Sequence, residues 1–142
     1  MTDEVRRCAR FGWTSLAVWA LFGLALETAH GFKLAVYLDD DLRHTLLRLA
    51  HAHGVILALV VVAFGKTADE LYVASSDAAR GAALTGRLLR VGALVIPAGF
   101  GLSAIAPHEG DPGVAVALVP AGALVFASGL VRAALRAWRR NA

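Results

Sequence analysis

The sequence predicts an all-α integral membrane protein, a four-helix bundle in one domain, from its high apolar content and the segregation of its charges. Of its 142 residues, 58% are hydrophobic and only 18% are charged, a composition too apolar for an ordinary soluble domain of this length. A helix that spans a membrane needs roughly 17–25 largely apolar residues. Runs without charged side chains cover residues 11–26, 55–65, 91–107 and 112–131. The expected helices cover residues 11–34, 42–65, 88–106 and 113–137, within a single membrane domain of residues 1–142.

The first expected helix follows a basic start, "MTDEVRRCAR", and continues through "FGWTSLAVWALFGLALETAHG". A basic start and an apolar stretch also occur in secretory signals. The apolar stretch here is long, and no clean small-x-small cleavage site follows it, so we interpret it as a retained helix. It reaches spanning length only if Glu27 and His30 lie inside the membrane end. The single cysteine, Cys8, precedes this helix and cannot form an internal disulfide.

The second expected helix begins after the acidic cluster Asp39–Asp41, which suits a helix amino end through capping and the helix dipole. His44, Arg48 and His51 then share one face of the helix. His53 lies about 200° around the helix axis from His51. These two histidines therefore cannot both bind one ion from a regular helix.

Small residues recur at heptad spacing in the third and fourth expected helices: Thr85, Gly92 and Gly99, then Ala115, Gly122 and Gly129. Small side chains let membrane helices approach closely, since packing rather than the exclusion of water drives their association. Both helices also contain a Pro-Ala-Gly segment near mid-depth, and Pro97 and Pro120 should each bend their helix. No ionisable residue lies beside either proline, so we interpret both as packing bends rather than as a transport pathway.

The placement of lysine and arginine predicts the orientation. With both termini in the cytoplasm, all but Lys33, Arg43 and Arg48 of the 14 lysines and arginines lie on the inner side. The expected location is therefore the inner (plasma) membrane, crossed several times with N-in/C-in topology. The net charge of +3 follows from this bias and favours anionic lipid. The lipid bilayer is the expected partner, and the charge requires no nucleic acid.

All five histidines fall at the outer end of the bundle in this orientation, together with Glu27. Zinc or copper would bind three or four histidine and carboxylate ligands. The candidate metal ligands are His30, His51, His53, His108 and Glu27. Haem b would need one or two axial histidines and an apolar slot lined by small residues. Simple proton sensing would need only histidines exposed to the outside.

The segment "AHAHGVILALVVVAFG" resembles the second helix of subunit I in the haem–copper oxidase superfamily. There an Ala-His-Gly element near the outer membrane face, followed by an apolar run and a glycine, supplies an axial ligand of low-spin haem. The resemblance implies His53 as the ligand and Gly54 as its glycine, while His51 has no counterpart. A second axial ligand would then come from His30, His108 or another subunit. The copper-site histidines have no counterparts here, which excludes a complete oxygen-reducing site.

The chain is also similar to small uncharacterised four-helix membrane proteins that carry a histidine pair at this place, some described as oxidase-like. The resemblances and the histidine placement together make His53, His51 and His30 the candidate haem ligands. The leading hypothesis is a membrane protein that binds haem b, or otherwise zinc or copper, at its outer face. Its role would be electron transfer or an accessory function.

Two other classes of function stay open. A structural or assembly subunit without a cofactor would use its histidines as polar anchors, and Glu27 would form an interfacial pair with His30, Lys33 or Arg48. Such a subunit would act as a homo-oligomer or in a complex with another membrane protein. Proton or ion translocation is the third possibility. The sequence contains no recognisable catalytic motif, so no catalytic residue is assigned and an enzyme is the less favoured interpretation.

Overall fold

The computed structural model describes residues 3–72, 76–105, 107 and 110–140, and within them the chain is helical with no strand. These residues form four long helices: α1 Asp3–Gly31, α3 Asp41–Leu71, α4 Ser76–Ser103 and α5 Leu118–Arg140. A one-turn helix, α2 (Ala35–Leu38), follows α1, and a 3₁₀ turn at Val114–Ala117 leads into α5. All four long helices are long and apolar enough to cross a membrane. The predicted all-α class is confirmed, with four helices that are long and apolar enough to span a membrane. Their insertion in a membrane and the N-in/C-in orientation stay predictions.

The helices are longer than the apolar runs of the sequence that predict them. α1 begins well before residue 11, and α3 continues past Gly65 to Leu71. α4 begins at Ser76, so only residues 72–75 connect it to α3. Polar and charged residues continue a helix without difficulty beyond its apolar part, because helix propensity depends little on side-chain polarity. The apolar pattern therefore locates each span but not the ends of its helix.

The long helices lie side by side in the order α1, α3, α4, α5. α1 packs mainly on α3, α3 on α4, and α4 on α5, whereas α1 and α5 share no contact within the described residues. The central helices α3 and α4 are accordingly more buried than the outer two. The terminal end of the bundle holds the start of α1, the end of α3, the start of α4 and the end of α5. The opposite end holds the predicted histidine cluster and is called the histidine end.

Glycines set the close approach of α4 and α5. A Cβ at Gly92 would clash with Phe126, and one at Gly129 would lie 2.9 Å from Leu89 Cδ2. Gly99 and Gly122 face the partner helix in the same way. The small-residue spacing in the sequence therefore corresponds to a real helix–helix contact, in which larger residues of one helix fill the space above glycines of the other.

The two prolines have different positions. Pro97 lies inside α4 and is buried. Pro120 lies in the first turn of α5, directly after the 3₁₀ turn. A proline in a first helical turn costs little, because its missing N–H would have no partner inside the helix. Both prolines were expected near the middle of a helix, and only Pro97 lies there.

The start of α3 is fixed as the acidic cluster predicts. The Arg43 backbone N–H donates to the Asp40 carboxylate at 2.9 Å, which caps the helix. The Arg43 side chain then reaches two other elements, donating to the carbonyls of Val36 at 3.1 Å and Ala104 at 3.2 Å. This arginine ties α2 and the end of α4 to the start of α3, and so closes one side of the histidine end.

A buried charged cluster connects α1 and α4 at the terminal end. The Arg90 guanidinium forms an ion pair with the Glu4 carboxylate and donates to Cys8 Sγ at 3.1 Å. The Glu4 side chain is 6% exposed and that of Arg90 18%. Gly86 and Gly65 border the cluster, and a Cβ at Gly65 would lie 2.9 Å from Cys8 Cβ. Charge pairing and close packing thus hold α1 against α3 and α4 at this end.

A candidate ligand cleft at the histidine end

An open cleft of about 460 Å³ lies between α1 and α3 at the histidine end. Its apolar wall comes from Ala20, Leu24, Leu26 and Ala52. Its polar groups are the carboxylate of Glu27, the phenol of Tyr37, the guanidinium of Arg48 and the imidazole of His51. Pockets of roughly 300–1,000 Å³ that combine an apolar wall with a few polar groups are typical of small-molecule sites.

His51 is held in place by α1. Its Nδ1–H donates to the backbone carbonyl of Trp19 at 2.9 Å, and the carbonyl can only accept, so the proton lies on Nδ1. The imidazole packs over Gly23, where any Cβ would clash with the ring. In the neutral imidazole, Nε2 is then left without a proton and can act as an acceptor or ligand atom.

Trp19 on α1 packs over a glycine of α3 in the same way as His51 packs over Gly23. Its indole lies over Gly54, and a Cβ at Gly54 would overlap the indole ring. Each helix thus supplies one large ring and one glycine: Trp19 and Gly23 from α1, His51 and Gly54 from α3. This reciprocal contact is called the Trp19–His51 interlock, and it fixes the position of His51 beside the cleft.

His53 faces a different helix. Its Nδ1–H donates to the Leu49 carbonyl of its own helix at 2.8 Å, and its ring lies 5.0 Å from the ring of Phe100 on α4. His51 and His53 therefore lie on two different interfaces, as their separation around the helix requires. His53 does not line the cleft between α1 and α3.

The remaining described histidines form a small aromatic group with α2. The His30 and His44 rings stack with centroids 6.0 Å apart, and the Tyr37 ring lies edge-on to His44 at 4.6 Å. Burial raises the pKa of the Tyr37 phenol; the nearby Arg48 cation lowers it and the Glu27 carboxylate raises it. α2 thus places Tyr37 between the stacked histidines and the charged rim of the cleft.

The predicted metal ligands are not brought together in the part of the chain that the structure describes. Among those residues, no three His, Cys, Asp or Glu side chains form a group that would hold a metal ion. His51 and Glu27 line the cleft, His30 stacks on His44, and His53 faces α4. His108 lies outside the described residues.

Sequence reasoning missed two contributors to this end of the molecule. Tyr37 lies between the first two expected helices and Trp19 lies within the first, and neither is among the candidate site residues that the sequence indicates. A usable signal was present: each helix has a large ring three or four residues before a glycine, as Trp19–Gly23 and His51–Gly54. That spacing puts a ring and a gap on one helix face.

The fold and the cleft together define an all-helical protein with four membrane-compatible helices and a polar cleft between the first two long ones. No family model matches the chain, and no curated protein or solved structure matches it either.

Proposed function

We propose that this protein binds haem b in the cleft between α1 and α3, with His51 as an axial ligand, and serves in electron transfer or as an accessory to it. The observation that carries the proposal is the hydrogen bond from His51 Nδ1–H to the Trp19 carbonyl. Histidines that bind metals commonly donate their other ring N–H to a carbonyl or carboxylate, which fixes the ring and its tautomer. His51 has this arrangement beside a cleft of about 460 Å³.

Three other residues of the cleft suit the same ligand. Leu24 and Leu26 offer apolar contact, and Arg48 offers a cation at the rim. A guanidinium pairs well with carboxylates, such as the propionates of haem. When bound, haem supplies a one-electron redox couple. The protein's own contribution would be to orient His51, to neutralise a propionate through Arg48 and to place aliphatic side chains against the ring.

This proposal moves the axial ligand from His53, which the oxidase resemblance implies, to His51. Both imidazoles donate through Nδ1 to a carbonyl, so their tautomers do not distinguish them. The cleft distinguishes the two histidines, because His51 lines it and His53 does not. A second axial imidazole would come from His30, from His108 or from another copy of the chain.

The test is a titration of the detergent-purified protein with hemin, followed by dithionite reduction. We expect a sharpened Soret band that saturates at one equivalent, and reduced α and β bands if the haem is low-spin. His51→Ala should abolish the saturable change, whereas His53→Ala, the matched control, should retain it. Loss of binding in His53→Ala alone would restore the ligand that the resemblance implies. A native protein that gives no saturable spectrum would overturn haem binding altogether.

A second function is favoured by the Trp19–His51 interlock. The imidazole fills the space above Gly23 and donates to a backbone carbonyl of α1, which is what a packing residue does in a membrane protein without a cofactor. A structural or assembly subunit would purify colourless, without stoichiometric zinc, copper or iron. Added hemin would give no saturable change in its spectrum. Elemental analysis of the sample used for the titration separates this outcome from a metal site.

A further inference from the structure

A second cleft, of about 260 Å³, lies at the terminal end of the bundle, between the end of α3 and the last turns of α5. Its lining consists of Tyr72, Arg132, Leu135, Arg136 and Arg139. Three of these five side chains are guanidiniums, and no carboxylate lines the cleft within the described residues. The haem proposal makes no use of this site, which lies at the opposite end of the helices.

Two of the cationic side chains are oriented by Tyr72, the residue after α3, and by Thr85 on α4. The Arg136 guanidinium lies over the Tyr72 ring, 5.2 Å from its centroid, a favourable cation–π contact. Arg132 Nε–H donates to the Thr85 hydroxyl at 3.4 Å, and that buried hydroxyl also bonds the Tyr72 hydroxyl at 2.8 Å. Arg132 and Arg136 therefore point into one cleft, although both are exposed.

The spacing of the three arginines concentrates positive charge. Arg132, Arg136 and Arg139 are at i, i+4 and i+7, so they share one face of α5. Like charges at this spacing weaken an isolated helix, and a bound anion would relieve that repulsion. Guanidinium groups bind phosphate oxygens through paired hydrogen bonds, so the chemistry of the cleft points to a phosphate group.

The surroundings of the cleft indicate that the phosphate belongs to a lipid. The arginines lie on α5, which with the preceding 3₁₀ turn forms one of the four membrane-compatible spans, Val114–Arg139, and they occupy the end of that span. Leu135 lines the cleft itself, while Val131 and Trp138 on the same helix are exposed by 57% and 79%. Aliphatic side chains beside the arginines suit acyl chains, and tryptophan prefers the level of the headgroups.

We propose that this cleft, formed by Tyr72, Arg132, Leu135, Arg136 and Arg139, binds the headgroup phosphate of an anionic phospholipid in the leaflet at the terminal end. Basic clefts at the ends of membrane helices recognise anionic headgroups by the same physical chemistry. The acyl chains would lie along the exposed apolar side of α5.

The test measures binding of phosphatidylglycerol, phosphatidylcholine and inorganic phosphate to the full-length protein in detergent, at about 0.3 M salt to screen diffuse attraction. Binding of individual lipids is followed by native mass spectrometry and by the shift in Tm. The test variant is the double substitution Arg132→Gln/Arg136→Gln. The control is Arg7→Gln/Arg10→Gln, which removes the same charge from the exposed start of α1 at the same end.

We expect phosphatidylglycerol to bind the native protein and raise its Tm, with phosphatidylcholine and inorganic phosphate far weaker. The test variant should bind phosphatidylglycerol about tenfold more weakly, and the control should change by less than about threefold. Arg139→Gln leaves the contacts with Tyr72 and Thr85 intact and should weaken binding by an intermediate factor if the double variant does not fold. Equal losses in test and control variants would overturn the site. If inorganic phosphate binds as tightly as phosphatidylglycerol, the assignment of the cleft to a lipid is overturned.

Discussion

The two ends of the bundle each combine a glutamate of α1 with an arginine of a later helix, but they use them differently. At the terminal end, Glu4 and Arg90 are buried together and paired, with Cys8 against them. At the histidine end, Glu27 and Arg48 are both exposed and line an open cleft. A buried and satisfied pair fixes two helices, whereas exposed groups around a cleft remain able to meet a ligand. Similar residues therefore have a structural role at one end and a candidate binding role at the other.

The largest expected effect concerns the buried ion pair at the terminal end. Arg90→Leu leaves the Glu4 carboxylate buried without its cationic partner, and removing one member of a buried pair costs about 3–5 kcal/mol. Glu27→Gln at the open end should change the free energy of unfolding by less than about 1 kcal/mol. Denaturant unfolding of the two variants in the same detergent measures both values. Equal effects would mean that the two ends do not differ as described.

A smaller effect is expected at the interlock. Gly54→Ala places a methyl group into the Trp19 indole, and such overpacking costs about 1–3 kcal/mol. Gly101→Ala is the matched control, because its Cβ would meet no atom within 4 Å. The control should be neutral or slightly stabilising, since alanine favours a helix over glycine. Thermal melts of the two alanine variants make the comparison, and a stable Gly54→Ala protein would refute the close approach.

The two adjacent histidines should also differ in the absence of any cofactor. His51→Ala removes a hydrogen bond between helices and opens the space above Gly23, for an expected loss of about 1 kcal/mol. His53 donates to a carbonyl of its own helix, so His53→Ala should cost less. The melting temperatures of the hemin-free variants measure this difference. A larger loss for His53→Ala would reverse the assignment of the two faces.

The smallest expected effect concerns Tyr37 at the open end. Burial raises the pKa of its phenol, above the ordinary value of about 10. The folded protein therefore favours the neutral phenol, and this contribution to stability is complete below pH 10 and is lost as the pH rises through the folded-state pKa. Absorbance at 295 nm, taken as the difference between the native protein and Tyr37→Phe, isolates this titration. A midpoint at or below pH 10 would contradict the enclosed position of Tyr37.

Local features of the sequence predicted much of the fold and little of the site. The apolar runs located the four spans, the acidic cluster located the cap at Asp40, and helical spacing separated His51 from His53. The Glu4–Arg90 pair joins residues 86 positions apart, and no local pattern indicates such a contact. Tyr37 lines the cleft because α2 packs on both α1 and α3. Contacts of this kind depend on how helices pack, which a single sequence does not specify.

The orientation of the His51 ring is the central claim, and long-range ¹H–¹⁵N correlation NMR on protein with ¹⁵N-labelled imidazoles tests it most directly. His51→Ala and His53→Ala assign the signals. For neutral His51 we predict the Nδ1-protonated tautomer, bonded to the Trp19 carbonyl, with a bare Nε2 whose signal is lost or strongly shifted when hemin is added, while that of His53 persists. A neutral His51 ring protonated on Nε2 would contradict the account. So would hemin that changes the signals of His53 and leaves those of His51 unchanged.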